Sequence, residues 1–237
     1  MNDQNEKKVK EIVYSEPEGY FPQYALDILN GKKKPMEILF ATTNQGKLRE
    51  IRQILEEAGI DVDLKSLADL ENPIDVEETG TTFEENSVLK ANAYRGLVGE
   101  NVIILADDSG LEVDALNKEP GIYSSRYMGV DTPYSEKNQN IIDRLEGVPD
   151  EERTARFVCV IAAALPDGTT KTVYETMEGR IAYKIAGCGG FGYDPIFFLP
   201  ERGMTSAELT AAEKNAISHR GKALRKMCAF LKELNEK

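Results

Sequence analysis

Histidine is almost missing from this chain. Among 237 residues there is one, His219, and there is no tryptophan. Cysteine occurs three times, at Cys159, Cys188 and Cys228, far apart and never in a CxxC spacing. An odd, scattered set argues against a disulfide framework or a zinc site and favours reduced thiols in a cytoplasmic protein. No apolar run approaches the roughly 20 residues that a membrane span needs. The opening MNDQNEKKVKEIV also lacks the apolar segment of a secretory signal. Positive charge is in deficit: 29 Lys and Arg face 41 Asp and Glu, a net charge of −12. Such a surface repels phosphate backbones, so a nucleic-acid partner is not expected. A small anionic substrate then requires a local cluster of cations, or a divalent metal, to override the overall field.

What is present divides in two. Residues 1–35 form an N-terminal extension with lysine clusters at Lys7, Lys8, Lys10 and at Lys32, Lys33, Lys34, and aromatic residues Tyr14, Tyr20, Phe21 and Tyr24. Within it PQYALDILN (22–30) reads as a short helix ended by Gly31. Residues 36–237 form the main domain, where the pattern becomes regular. EILFAT (37–42) is a short strand, and Leu48, Ile51, Leu55 and Ala58 then fall at helical spacing. IDVDLKSL (60–67) alternates as a strand, 83–97 reads as a helix, NVIILA (101–106) as a buried strand, and LEVDAL (111–116) as a second strand after a turn. A helix over 135–146 precedes two runs, 156–165 and 170–182, joined by Pro-Asp-Gly as a hairpin. The last amphipathic helix covers 218–235. Strands mixed with helices, plus one hairpin, predict an α/β fold around a mixed sheet.

Five stretches carry chemistry. In TTNQGK (42–47) a strand passes through small polar residues into a helix with Lys47 in its first turn. The helix N-terminus offers free N–H groups and partial positive charge to a phosphate. LADDSGL (105–111) places Asp107 and Asp108 together at the expected end of a strand, on opposite faces. Hard oxygen ligands of this kind suit Mg²⁺, which takes one or two carboxylates plus waters and substrate phosphates. Glu77 and Glu78 precede the helix on which Asn86 and Lys90 share a face. GGFGYDP (189–195) combines glycines with Phe191 and Tyr193, either of which can stack on a planar base, and with Asp194, a hydrogen-bond acceptor. In KNAISHRG, Ser218 is a candidate N-cap that puts the donors His219 and Arg220 in the first helical turn, where a keto oxygen is well received.

Taken in order, TTNQGK, EETGTTFEENSVLKA, LADDSGLEVDAL, GIYSSRYMG, GGFGYDPIFF and AEKNAISHRGKAL resemble the inosine/xanthosine triphosphate pyrophosphatase family, from about Met36 to the C-terminus. The resemblance implies a long, strongly twisted mixed sheet with two lobes flanking a central nucleotide-binding cleft, and a homodimer. It also implies Mg²⁺-dependent cleavage of ITP, XTP and their deoxy forms to a monophosphate and pyrophosphate. Under it, Thr42, Thr43, Asn44, Gln45, Gly46 and Lys47 match the phosphate loop, and Lys90 the second triphosphate lysine. Asp108 matches the general base and metal ligand, and Ser109 a substrate contact. Glu78 is the other metal carboxylate, with Glu77 and Asp107 the alternates in their pairs. Phe191, Gly192, Tyr193 and Asp194 match the base loop, and Lys214, His219 and Arg220 meet base and phosphates. The rival readings are a housecleaning pyrophosphatase for other modified nucleotides, which should lack the Ser-His-Arg motif, and a non-catalytic nucleotide sensor, which should lack the carboxylates.

Overall fold

The computed structural model describes residues 35–236. The N-terminal extension and its expected helix over 22–30 lie outside the described residues. Seven strands alternate with five α-helices: β1 (Met36–Phe40), α1 (Gln45–Glu57), β2 (Val62–Ser66), α2 (Phe83–Ala93), β3 (Ile103–Val113) and α3 (Tyr134–Arg144). Then follow β4 (Thr154–Ala164), β5 (Thr170–Ile181), β6 (Phe197–Leu199), β7 (Met204–Thr205), α4 (Ala211–Ile217) and α5 (His219–Glu236). They form a single mixed sheet in the order β2-β1-β3-β4-β5-β6-β7. β1 runs parallel to β2 and β3, and every later neighbour is antiparallel. Among the described residues no helix is long and apolar enough to cross a membrane.

The helices form where pattern and caps agree. On α1 the expected Leu48, Ile51 and Leu55 are buried and Ile54 joins them, while Ala58, the fourth expected position, is the half-buried C-cap; Asn44 caps the start. α2 begins at a reciprocal Thr82–Glu85 capping box and ends at Ala93, earlier than expected. The hairpin is as read: β4 and β5 pair from Thr154↔Arg180 to Ala164↔Thr170 across the Asp-Gly turn. One expectation fails. LADDSG is not a strand end followed by a turn, because β3 continues unbroken through it for 11 residues and pairs with β4 from Ile104 to Val113. Asp, Ser and Gly favour turns locally, but here the long ladder to β4 decides.

That continuity positions the site. One face of β3 carries Ile103 and Leu105, then Asp107 and Ser109, then Leu111 and Val113. The first pair belongs to an apolar core with α1 and α5, and the last pair to a second core with β6 and the base loop. The polar gap between the two cores is the floor of the cleft. β1 accompanies β3 only along Ile103–Leu105, so beyond that point the β1 side of β3 has no strand neighbour in the ladder. Past the gap the chain closes over β3 again, with Ser124 Oγ accepting from Leu111 N at 2.9 Å. Gly110 permits this approach, since a Cβ there would stand 2.4 Å from the Gly121 carbonyl oxygen.

Candidate active site

Asp107 and Asp108 are adjacent, both buried, and point to opposite faces. Asp107 accepts from Lys47 Nζ at 2.8 Å, from the Ser109 hydroxyl at 2.9 Å and from Arg220 Nε at 3.3 Å. Burial alone would raise its pKa, but Lys47, Arg220 and Lys90 outweigh it and hold the carboxyl far below the usual range. Lys47 and Arg220 both pair with it, which makes Asp107 the anchor of two cations. Asp108 accepts from Lys90 Nζ at 3.2 Å and from Asn86 Nδ2 at 3.3 Å. Here burial prevails over the pull of Lys90, and the pKa is raised, as suits a base.

Glu78 completes the carboxylate set. It accepts from Lys90 Nζ at 2.7 Å and from Arg126 at 2.7 Å. Burial is opposed by Lys90 and Arg126, and the balance lowers its pKa. Glu77 beside it is exposed, which favours Glu78 of the pair. The Lys90 ammonium lies between Glu78 and Asp108, and its pKa is raised: burial lowers it, but Asp108, Asp107 and Glu78 more than compensate. A cation therefore already sits where these two carboxylates converge. No cluster of three His, Cys, Asp or Glu suited to a metal occurs among the described residues. Glu78 and Asp108, both within reach of Lys90, fit a hard divalent cation that takes two carboxylates and completes its shell from phosphates and water.

In the Thr42–Lys47 loop the Asn44 side chain turns back onto its own helix. Its Oδ1 accepts from Gly46 N at 2.9 Å and Lys47 N at 3.2 Å, capping α1. Thr42 is buried and accepts from Asn44 N, while Thr43 and Gln45 are exposed. Lys47, on the first turn, reaches across the gap to β3.

At the other end, Asp194 lies under its loop rather than on it. Its carboxylate accepts from Ser206 Oγ at 2.5 Å, from Phe191 N at 2.8 Å and from Lys214 Nζ at 2.5 Å, and the residue is 2% exposed. Gly190 is required above it: its φ is +69°, and a Cβ would stand 2.2 Å from Asp194 Oδ2. Tyr193 is buried too, donating to Ser124 O at 2.7 Å and meeting Tyr134 edge-on. That leaves Phe191, 44% exposed, as the ring available for stacking, with Gly192 allowing the turn beside it. The ring stands 4.8 Å from Lys214 Nζ and 5.5 Å from the Arg220 guanidinium. Ser218 Oγ accepts from Gly221 N at 3.0 Å, the predicted cap. His219 stacks on Phe157 at 4.9 Å, and its Nδ1 has no protein partner. Burial, then Arg220 and Lys214, push its pKa well down, so the ring is neutral and donates from one nitrogen, not two.

Two cavities follow the cleft, one of about 500 Å³ past Phe191, His219 and Arg220, the other of about 840 Å³ past Glu78, Lys90 and Arg126. Lys47 and Ser125 line both. Three contributors escaped the sequence reading. Phe157, Tyr134 and Arg126 are brought in by the strand ladder, α3 and the Ser124–Arg126 turn; the first two carry no local signal, and Arg126 sits in GIYSSRYMG without a role assigned to it. A cluster of cations at one end and an exposed ring over buried donors at the other define the class: an α/β protein whose cleft suits an anionic ligand with a planar end. The profile of the Ham1 family matches residues 38–230, and the chain belongs to that family. It is 48% identical over 196 residues to the dITP/XTP pyrophosphatase of Exiguobacterium sibiricum, covering 83% of this chain and 97% of the relative. Its likeness to that of Bacillus subtilis is 46% over 195 residues, 82% of this chain and 96% of the relative. Among solved structures, a HAM1 protein from Coxiella burnetii superposes with a TM-score of 0.76 at 40% identity, covering 84% of this chain and 99% of that one. The Staphylococcus aureus Ham1 protein gives 0.75 at 42%, covering 85% and 100%.

Proposed function

We propose that this protein hydrolyses nonstandard purine nucleoside triphosphates (ITP, dITP, XTP and dXTP) to the monophosphate and pyrophosphate, with Mg²⁺, as a cytoplasmic homodimer. Residues 36–237 are the catalytic domain on this reading, and 1–35 an appendage. The observation that carries it is the continuous cleft, in which Asp107 joins the phosphate lysine Lys47 to the base-side Arg220. The similarity to dITP/XTP pyrophosphatases suggests the substrate class.

The residues divide the work. Glu78 and Asp108 would hold Mg²⁺, which would neutralise and orient the phosphate chain when bound. Asp108, with its raised pKa, takes the proton of the attacking water, whose oxygen bonds to phosphorus as pyrophosphate leaves. Lys47 and Lys90 neutralise the charge that develops on the leaving group. The phosphate loop and Ser109 position the chain, and Phe191 stacks on the base. His219, Arg220 and Lys214 present donors to a 6-keto oxygen. Adenine, with an amino group there, would leave buried donors unpaired, at a cost of about 1–3 kcal/mol each.

The test is pyrophosphate release from ITP, XTP, GTP and ATP, with and without Mg²⁺. Fast release from ITP and XTP only with metal is expected. Equal kcat/KM for ITP and ATP would sink the recognition scheme, and no release at all would leave a nucleotide sensor. Sedimentation checks the dimer, and truncation before Met36 checks the domain assignment.

A further inference from the structure

We propose that Arg126 is a third cation for the phosphate chain, parked on Glu78 in the free enzyme and turned onto the substrate when that carboxylate is engaged by metal. The proposal rests on the reading above for the identity of the substrate. Glu78 carries one negative charge and accepts from two cations, Lys90 and Arg126, each at 2.7 Å. Lys90 has a second partner in Asp108, but among the described residues Arg126 has no other carboxylate. Its side chain is 32% exposed and lines the larger cavity together with Lys47 and Lys90. The guanidinium rests 5.0 Å from the centre of the Tyr123 ring, a contact that supports the arm without consuming its N–H groups. A metal ion bound to Glu78 competes with both cations for the same oxygens. Lys90 keeps Asp108, whereas Arg126 is left with unsatisfied donors facing the cavity. A planar fork of N–H donors matches phosphate oxygens, so the incoming chain offers the partner that Arg126 has lost.

This exchange predicts effects of opposite sign, which a merely structural arginine would not produce. In Arg126→Gln the carboxylate loses a competing cation. Mn²⁺ binding to the nucleotide-free protein, followed by EPR, should therefore tighten by about threefold. The same variant should bind inorganic pyrophosphate with metal about tenfold more weakly, and its KM for ITP should rise by about as much while kcat changes little. Arg126→Lys, which keeps the charge without the fork, should fall between the two. Thermal midpoints near the wild-type value establish that each variant is folded. Metal and pyrophosphate affinities that weaken together, or that both stay unchanged, would overturn the proposal. The pyrophosphate arm decides even if the wild type releases nothing from ITP, an outcome that would count against the substrate reading alone.

Discussion

At the phosphate end, Glu78 shares its two oxygens between Lys90 and Arg126, and the side chains remain partly open, at 22%, 16% and 32%. At the base end, Asp194 divides its oxygens among Ser206, Phe191 and Lys214, with side-chain exposures of 2% for Asp194 and 10% for Lys214. Both are networks of one carboxylate and several donors, yet they differ in what they can give up. Partly solvated ion pairs exchange partners cheaply, so the first can be remade around an incoming ligand, on the proposed reading a phosphate chain. A buried pair that loses a member leaves an uncompensated charge, so the second holds its loop in one shape before any base arrives. Chemistry needs groups that change partners, and discrimination needs groups that do not.

The largest expected effect tests the exchangeable end. Asp108→Asn keeps the shape but removes the base, and should lower kcat for ITP by about a thousandfold at saturating Mg²⁺. Because burial already disfavours the charged form of Asp108, the thermal midpoint should hold or rise. Near-normal turnover would remove Asp108 from the proton-transfer role.

Next comes the fixed end. Asp194→Asn strands the Lys214 ammonium and should cost about 3 kcal/mol of stability by chemical denaturation, with weaker preference for ITP over ATP. A variant as stable as the wild type would show that the loop is not held by this pair. Phe191→Ala sharpens the contrast, because the ring is 44% exposed and belongs to no apolar core, standing instead over the Lys214 and Arg220 cations. Its loss should raise the KM for ITP about tenfold, the worth of one base–aromatic stack, and leave stability unchanged.

The carboxylate–lysine cluster is the more legible from sequence. Lys47, Glu78, Lys90 and Asp108 are charged residues in tight local motifs, and charge in a buried pattern announces itself. The base end was read correctly as a loop and a helix start, but the division of labour within it was not. Phe191 and Tyr193 are two residues apart and chemically alike; only packing against Tyr134 and Ser124 turns the tyrosine inward. Asp194 resembled a free acceptor until Ser206, twelve residues away, closed on it. LADDSG departs from its expected turn for a related reason: local turn preference is outweighed by a ladder to β4, some fifty residues downstream. Short elements such as β6 and β7 have too few residues for a period. Arg126 lies within GIYSSRYMG, one of the stretches that carry the resemblance, but nothing local to that loop shows that its guanidinium reaches Glu78.

The smallest expected effect concerns His219, the lone histidine. Its neutrality in the fold follows from burial, from Arg220, Lys214 and Lys47 around it, and from the insufficiency of Asp107 as an opposing charge. A histidine that titrates near 6.5 when unfolded and well below that when folded binds its proton more readily in the unfolded chain. Its contribution to stability is therefore complete above about pH 6.5 and is lost as pH falls below that value towards the folded pKa. Between pH 7.5 and 5.5 the wild type should lose about 1 kcal/mol more stability than His219→Gln, which has no proton to gain. Carboxylates common to both proteins cancel in that difference, so denaturation of the pair at the two pH values isolates the ring. Equal losses would mean that the folded protein accepts a charged imidazole. His219 would then offer two donors to the base instead of one, and rejection of adenine would rest on a denser set of N–H groups than Arg220, Lys214 and a neutral ring provide.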